Sequence, residues 1–132
     1  MNTILGKVVL GIASAMLVSS VVIAQDLPEV TVQAKRLITT KVTERIEGGV
    51  PLQDISVTYG VRTSDLDLAT HSAALVLEQR VKDAAKLACK EISRQFPDAS
   101  PSEAECANTA AAKAMPQVKQ LVASAEKAHN RG

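Results

Sequence analysis

The feature that most constrains the fold of this chain is its pair of cysteines, Cys89 and Cys106, the only two present. Helical periodicity surrounds each of them, and a loop from about Gln95 to Ser100 separates the two predicted helices. Each cysteine lies about two turns from that loop, so antiparallel helices bring the two thiols level. The sequence therefore predicts a helix hairpin closed by one disulfide. A zinc site and a redox thiol are the alternatives, but neither histidines at ligand spacing nor a C-x-x-C motif accompanies the pair.

The first 24 residues have the layout of a secretory signal peptide. Lys7 is the only charged residue among them, and a largely apolar run from Val8 ends at the small residue Ala24. We expect cleavage between Ala24 and Gln25. A membrane anchor is the alternative, but the run is shorter than the ~20 apolar residues that span a bilayer. These residues predict a periplasmic or secreted protein whose mature chain has no membrane span. Cysteines pair to disulfides in such compartments.

The charge and aromatic content of the predicted mature chain argue against a nucleic-acid partner. Without Lys7, basic and acidic residues balance at 14 each. A nucleic-acid binder needs a basic excess on one face. Stacking platforms need aromatic side chains, and Tyr59 and Phe96 are the only two in the chain.

Alternating apolar residues predict a β-hairpin before the helices. Residues 38–46 and residues 55–61 are the two predicted strands, and Gly48-Gly49 is the turn signal between them. The preceding segment, residues 25–36, also alternates and is interpreted as an N-terminal arm or an edge strand. A lone hairpin is marginal in water, so its apolar face is expected to rest on the helices.

Capping residues locate the two helices. Thr70 is the expected N-cap of the first helix. Ser100, followed by Pro101 and Glu103, has the pattern of a capping box for the second helix. Pro116 is expected to kink or split that helix. The predicted apolar faces are Ala74, Leu77, Val81, Ala84, Ala85, Ala88 and Ile92 on the first helix, and Cys106, Ala110, Ala114, Val118, Leu121, Val122 and Ala125 on the second.

The predicted fold class is therefore α+β, with a β-hairpin packed on an antiparallel two-helix hairpin that one disulfide clamps. The predicted organisation is a signal peptide over residues 1–24, the arm over 25–36, one domain over 37–126 and a flexible polar tail over 127–132.

Two aspartates before the first helix are the most conspicuous polar pair. In an extended segment Asp65 and Asp67 point the same way while Leu66 and Leu68 point to the core, so a cation or acid–base pair is one interpretation. A calcium loop needs more oxygen ligands and a glycine. The simpler interpretation is that the acids favour the helix dipole and the leucines anchor the corner.

The remaining polar candidates do not form a catalytic constellation. His71 falls in the first turn of a helix, and His129 falls in the tail. G-x-S-x-G, H-E-x-x-H and P-loop motifs are absent from the sequence. Arg62 and Arg80 are candidates for binding a small anion, although a lone arginine is usually a solvated surface group. No enzymatic activity, cofactor or metal is expected.

The stretch VTYGVRTSDLDLATHSAALVLEQRVKDAAKLAC, with the second cysteine downstream, resembles the UrcA family of small exported bacterial proteins of unknown function. The resemblance covers about Ile55 to Val122. In place of the proline or small residue that family members carry after the threonine, this chain has His71-Ser72. The resemblance implies a periplasmic or secreted protein and supplies no catalytic residues. The matching positions are Tyr59, Asp65, Leu66, Asp67, Leu68, Thr70, Arg80, Val81, Ala84, Ala85, Cys89 and Cys106.

The sequence thus predicts an exported, non-enzymatic envelope protein that acts by contact with a protein partner. A periplasmic small-ligand binder that uses the cleft between hairpin and helices is the alternative, with Arg80, Asp67 or His71 expected in the pocket. The arm LPEVTVQAKR also resembles the short segment near the mature start of TonB-dependent transporters that is captured by strand addition. The sequence does not predict an oligomeric state.

Overall fold

The structure, a computed structural model, describes residues 29–39 and 52–132. Strand β1 (Glu29–Thr39) pairs antiparallel with strand β2 (Leu52–Arg62), and helices α1 (His71–Gln95) and α2 (Glu103–His129) follow. The predicted α+β architecture is confirmed, with the hairpin packed on a helix pair that a Cys89–Cys106 disulfide joins. The predicted signal peptide and the Gly48-Gly49 turn lie outside the described residues.

The first strand lies upstream of its predicted position. β1 ends at Thr39, and the rest of the predicted strand over residues 38–46 lies outside the described residues. The pattern explains the misplacement, because Val30, Val32 and Ala34 alternate with period two, whereas residues 38, 42 and 46 repeat every four. β1 crosses the boundary predicted between residues 36 and 37, and it includes residues 29–36 of the segment interpreted as an arm or an edge strand.

The core lies between the inner face of the hairpin and the two helices. Val30, Val32 and Ala34 of β1 are fully buried, as are Leu77 and Val81 of α1. Half of the buried residues of α1 and α2 are alanines, which allow close helix packing. The disulfide fastens this contact with a Cα–Cα distance of 5.9 Å, within the usual range for a cystine.

The caps show where each helix begins. Thr70 caps α1 as predicted, since its side chain accepts a hydrogen bond from the backbone N–H of Ala73. The α2 capping box instead uses Ser102 and Glu105, two residues beyond the predicted pair. The serine predicted to cap this helix, Ser100, is held by backbone hydrogen bonds to Leu37, with N···O distances of 2.7 and 2.8 Å. Because this bridge holds Ser100 against β1, α2 begins only after Ser102.

Helix α2 runs as one element through Pro116 to His129. The proline removes a single backbone hydrogen bond, and the predicted split does not occur. The helix also includes the first three residues of the predicted flexible tail over 127–132. Within residues 29–39 and 52–132, no helix is long and apolar enough to cross a membrane.

Candidate functional site

The connection between β2 and α1 is organised by an ion pair between Asp65 and Arg80. The Arg80 guanidinium meets both carboxylate oxygens of Asp65, at 2.8 Å from Nη1 and 2.5 Å from Nη2. Nη1 also donates to the backbone carbonyl of Arg62 at 3.0 Å. Arg80 therefore fastens the end of β2 and the following turn to the side of α1.

This geometry lowers the pKa of Asp65 to about 2, chiefly through its hydrogen bonds with Arg80. The same hydrogen bonds raise the pKa of Arg80. Asp65 is therefore a carboxylate at neutral pH, and the arginine that the sequence offered as an anion site already holds an internal anion.

Asp67 does not join Asp65 in a cation or acid–base pair. The predicted extended segment is a turn, in which Asp67 Oδ1 accepts from the backbone N–H of Ala69 at 3.2 Å. The Asp67 carbonyl accepts from both the N–H and the hydroxyl of Thr70, the residue that caps α1. Leu68 is buried and Leu66 is partly buried against the core. No group of three or more potential metal ligands occurs within residues 29–39 and 52–132.

One of the three residues suggested for a ligand pocket lines a groove: Asp67 lies there with Leu121 and Ala128 of α2. Arg80 and His71 do not line that groove; His71 is the exposed first residue of α1.

Arg36, which was not predicted as a structural residue, is a buried arginine in β1 with 3% exposure. Its Nε donates to the Pro101 carbonyl at 2.8 Å, and its two Nη atoms donate to Ser93 Oγ and to the Ala99 carbonyl. Strand alternation could have predicted its burial, because Arg36 continues the inward-facing series of Val30, Val32 and Ala34. The guanidinium holds the α1–α2 loop against the sheet.

The outer edge of β1 is partly occupied. The N–H and C=O of Thr31 pair with the Gln117 side-chain amide of α2, each at 3.0 Å. Leu37 makes the backbone bridge to Ser100. Backbone groups of alternate residues point to opposite edges of an antiparallel pair, so these contacts identify which β1 residues turn away from β2. Their partners in the register, including Gly60 and Asp54, turn away from β1.

Among the described residues, the outer edge of β2 is open along most of its length. Five residues present their N–H and C=O groups there, at every second position from Leu52 to Gly60. Arg80 covers the next outward carbonyl, that of Arg62. No hydrogen bond within the part of the chain that the structure describes covers the outward backbone groups from Leu52 to Gly60. We call this segment, Leu52–Gly60, the open β2 edge.

Apolar side chains lie beside this edge. The inner face of β1 is fully buried at Val30 and Val32, whereas the β2 residues Ile55 and Val57 are only partly buried and Tyr59 is 38% exposed. The helices therefore do not fully cover the inner-face side chains of β2.

The neighbouring flank of α1 is also partly apolar. Arg80 defines this flank, because its side chain reaches the end of β2. Ala84 and Leu87 follow Arg80 at helical steps of four and seven residues, and thus lie on the same stripe. Leu87 is 58% exposed. An unpaired strand edge above a partly apolar helix flank has the chemistry of a site for strand addition.

Over residues 29–39 and 52–132, the fold and surface define a small, disulfide-clamped α+β protein with an open β2 edge. No protein-family model, curated protein or solved structure matches this chain.

Proposed function

We propose that this protein is an exported, non-enzymatic protein of the bacterial cell envelope, similar to the UrcA family, that acts by protein–protein contact. Its Cys89–Cys106 disulfide indicates a non-reducing, extracytoplasmic environment. The signal-peptide layout before Gln25 supports the same location. The family resemblance supports the assignment through Tyr59 and the residues of the β2–α1 corner.

The observation that carries the contact proposal is the open β2 edge. Exposed strand edges readily pair with other chains, and proteins that avoid such pairing cover the edge or place charges along it. Here Asp54 is the only charged residue from Leu52 to Gly60. The protein therefore receives a strand at β2. Residues 29–36 of the segment that the sequence offered as a donor strand lie in β1, which already pairs with β2 along its whole length.

A proline at position 56 tests this proposal. The Ser56 N–H points away from β1, so Ser56→Pro removes an outward donor and leaves the β1–β2 ladder intact. Ser56→Ala is the matched control, because it keeps the N–H. We expect chemical crosslinking in the intact envelope to capture a contact with wild type and Ser56→Ala, and to lose it with Ser56→Pro. Equal capture by all three chains, with unchanged circular dichroism, would move the contact away from the open β2 edge.

Small-ligand binding is the second candidate, and one cleft favours it. Gln33 and Lys35 of β1 face Thr109 and Lys113 of α2 across a cleft beside the disulfide. Lys35 is paired with Asp54, which also lines the cleft, so the ammonium group of Lys113 is the group offered to a small anion. A thermal shift with inorganic phosphate that Lys113→Gln abolishes would support this candidate, whereas an equal shift in both proteins would exclude Lys113 from binding.

A further inference from the structure

We propose that the open β2 edge is completed by β2 of a second copy of this chain, so that two hairpins form one continuous four-stranded sheet around a two-fold axis at Ser56. The inference rests on the proposed contact function and specifies its partner. A two-fold interface requires that one surface be complementary to itself.

The backbone of β2 meets that requirement. Antiparallel pairing about Ser56 places Leu52 opposite Gly60 and Asp54 opposite Thr58, while Ser56 meets its own copy. All of these residues turn their N–H and C=O groups outward. Each opposed pair can therefore exchange two hydrogen bonds. The register uses the whole open segment and extends no further.

The charges on β2 disfavour two alternative registers. A two-fold axis at Asp54 would place two aspartates directly opposite each other, which destabilises a strand pair. A two-fold axis at Thr58 would draw Arg62 into the ladder, although its carbonyl already accepts a hydrogen bond from Arg80. The axis at Ser56 places Asp54 opposite the hydroxyl of Thr58, where the carboxylate can accept a hydrogen bond.

The side chains beneath the sheet agree with the same register. Ile55 of one copy lies opposite Val57 of the other on the inner face, and both are only partly buried in the single chain. The two α1 helices then lie side by side below the central strands. Their facing flanks carry Leu87, which is 58% exposed in the single chain. Burial of these side chains supplies the apolar contact that an isolated edge lacks.

Engineered cysteines test the register in the full mature protein with its native disulfide intact. In the proposed dimer the two Ser56 Cα atoms lie about 5.5 Å apart, which suits a disulfide. We expect Ser56→Cys to give a covalent dimer on mild oxidation. Gln33→Cys is the matched control, because it is exposed on the same outer face but lies on β1, and we expect it to stay monomeric. Equal dimer yields from both variants, or no dimer from Ser56→Cys, would overturn this register.

Sedimentation equilibrium tests the association without new cysteines. Leu87→Glu places a carboxylate on the α1 flank and is expected to weaken the dimer by about tenfold or more. Leu75→Glu is the matched control, because Leu75 is also exposed, at 51%, and lies on a different face of α1. Glutamate is a good helix former, so both variants should keep the fold. Equal weakening by both variants would overturn the proposed interface.

The two proposals fail in different ways. Monomeric wild type in sedimentation, together with loss of envelope crosslinks in Ser56→Pro, would overturn self-association and keep the open β2 edge as a contact with another protein. Monomeric wild type with unchanged crosslinks in Ser56→Pro would overturn both proposals.

Discussion

Replacement of Arg36 by methionine is expected to lower the free energy of unfolding by about 2–4 kcal/mol. Methionine keeps the aliphatic volume but removes every donor, so the Ala99 and Pro101 carbonyls lose their arginine partners. A buried polar group left without a partner costs about 1–3 kcal/mol. The Pro101 carbonyl is only part-buried, and removal of a buried charge offsets some of the loss. The loss of two carbonyl partners, less these two reductions, gives a net cost of about 2–4 kcal/mol.

The assay is urea unfolding of the oxidised protein, followed by circular dichroism and analysed by linear extrapolation. Lys35→Met is the matched control at the adjacent position, where the side chain is 53% exposed and pairs with Asp54 on the surface. Such a pair contributes about 0–1 kcal/mol. Arg36→Lys should recover only part of the loss, because a single ammonium cannot match the planar fork of donors. A cost for Arg36→Met within about 0.5 kcal/mol of that for Lys35→Met would refute the reasoning.

Two further predictions concern the disulfide and the Asp65–Arg80 pair. Replacing both Cys89 and Cys106 by alanine should cost about 3 kcal/mol in urea unfolding, because the unfolded chain loses a constraint between residues 17 apart; a loss below about 1 kcal/mol would contradict this. Arg80 holds the pKa of Asp65 at about 2, below its unfolded value of about 3.9, so the carboxylate contributes stability above about pH 4 and loses it as the pH falls towards 2. Asp65→Asn should therefore be less stable than wild type at pH 7, with a difference that disappears near pH 2, and a gap that is constant with pH would count against the ion pair.

The corner between β2 and α1 shows how far sequence patterns reach. Thr70 was identified as an N-cap because capping is local, and the structure confirms it. The paired-aspartate interpretation required an extended backbone, but a turn separates the roles of Asp65 and Asp67. The partner of Asp65 is Arg80, fifteen positions away. No periodicity in the sequence indicates a contact of that kind.

The start of α2 shows the same limit at a helix end. Two overlapping capping patterns occur, one beginning at Ser100 and the other at Ser102. Local chemistry permits both. The bridge between Ser100 and Leu37 on β1 decides between them, because it holds Ser100 outside the helix.

The sequence by itself determined the helix hairpin, its disulfide and the strand at β2, because helical period, strand alternation and cysteine spacing are properties of neighbouring residues. Tertiary structure alone decided that residues 29–39 complete the hairpin, that Arg36 is buried beneath the α1–α2 loop, and that the outer edge of β2 has no strand partner among residues 29–39 and 52–132. These outcomes depend on which backbone groups find partners far along the chain. A strand pattern specifies which side chains face the core, and only packing specifies what lies beside the strand.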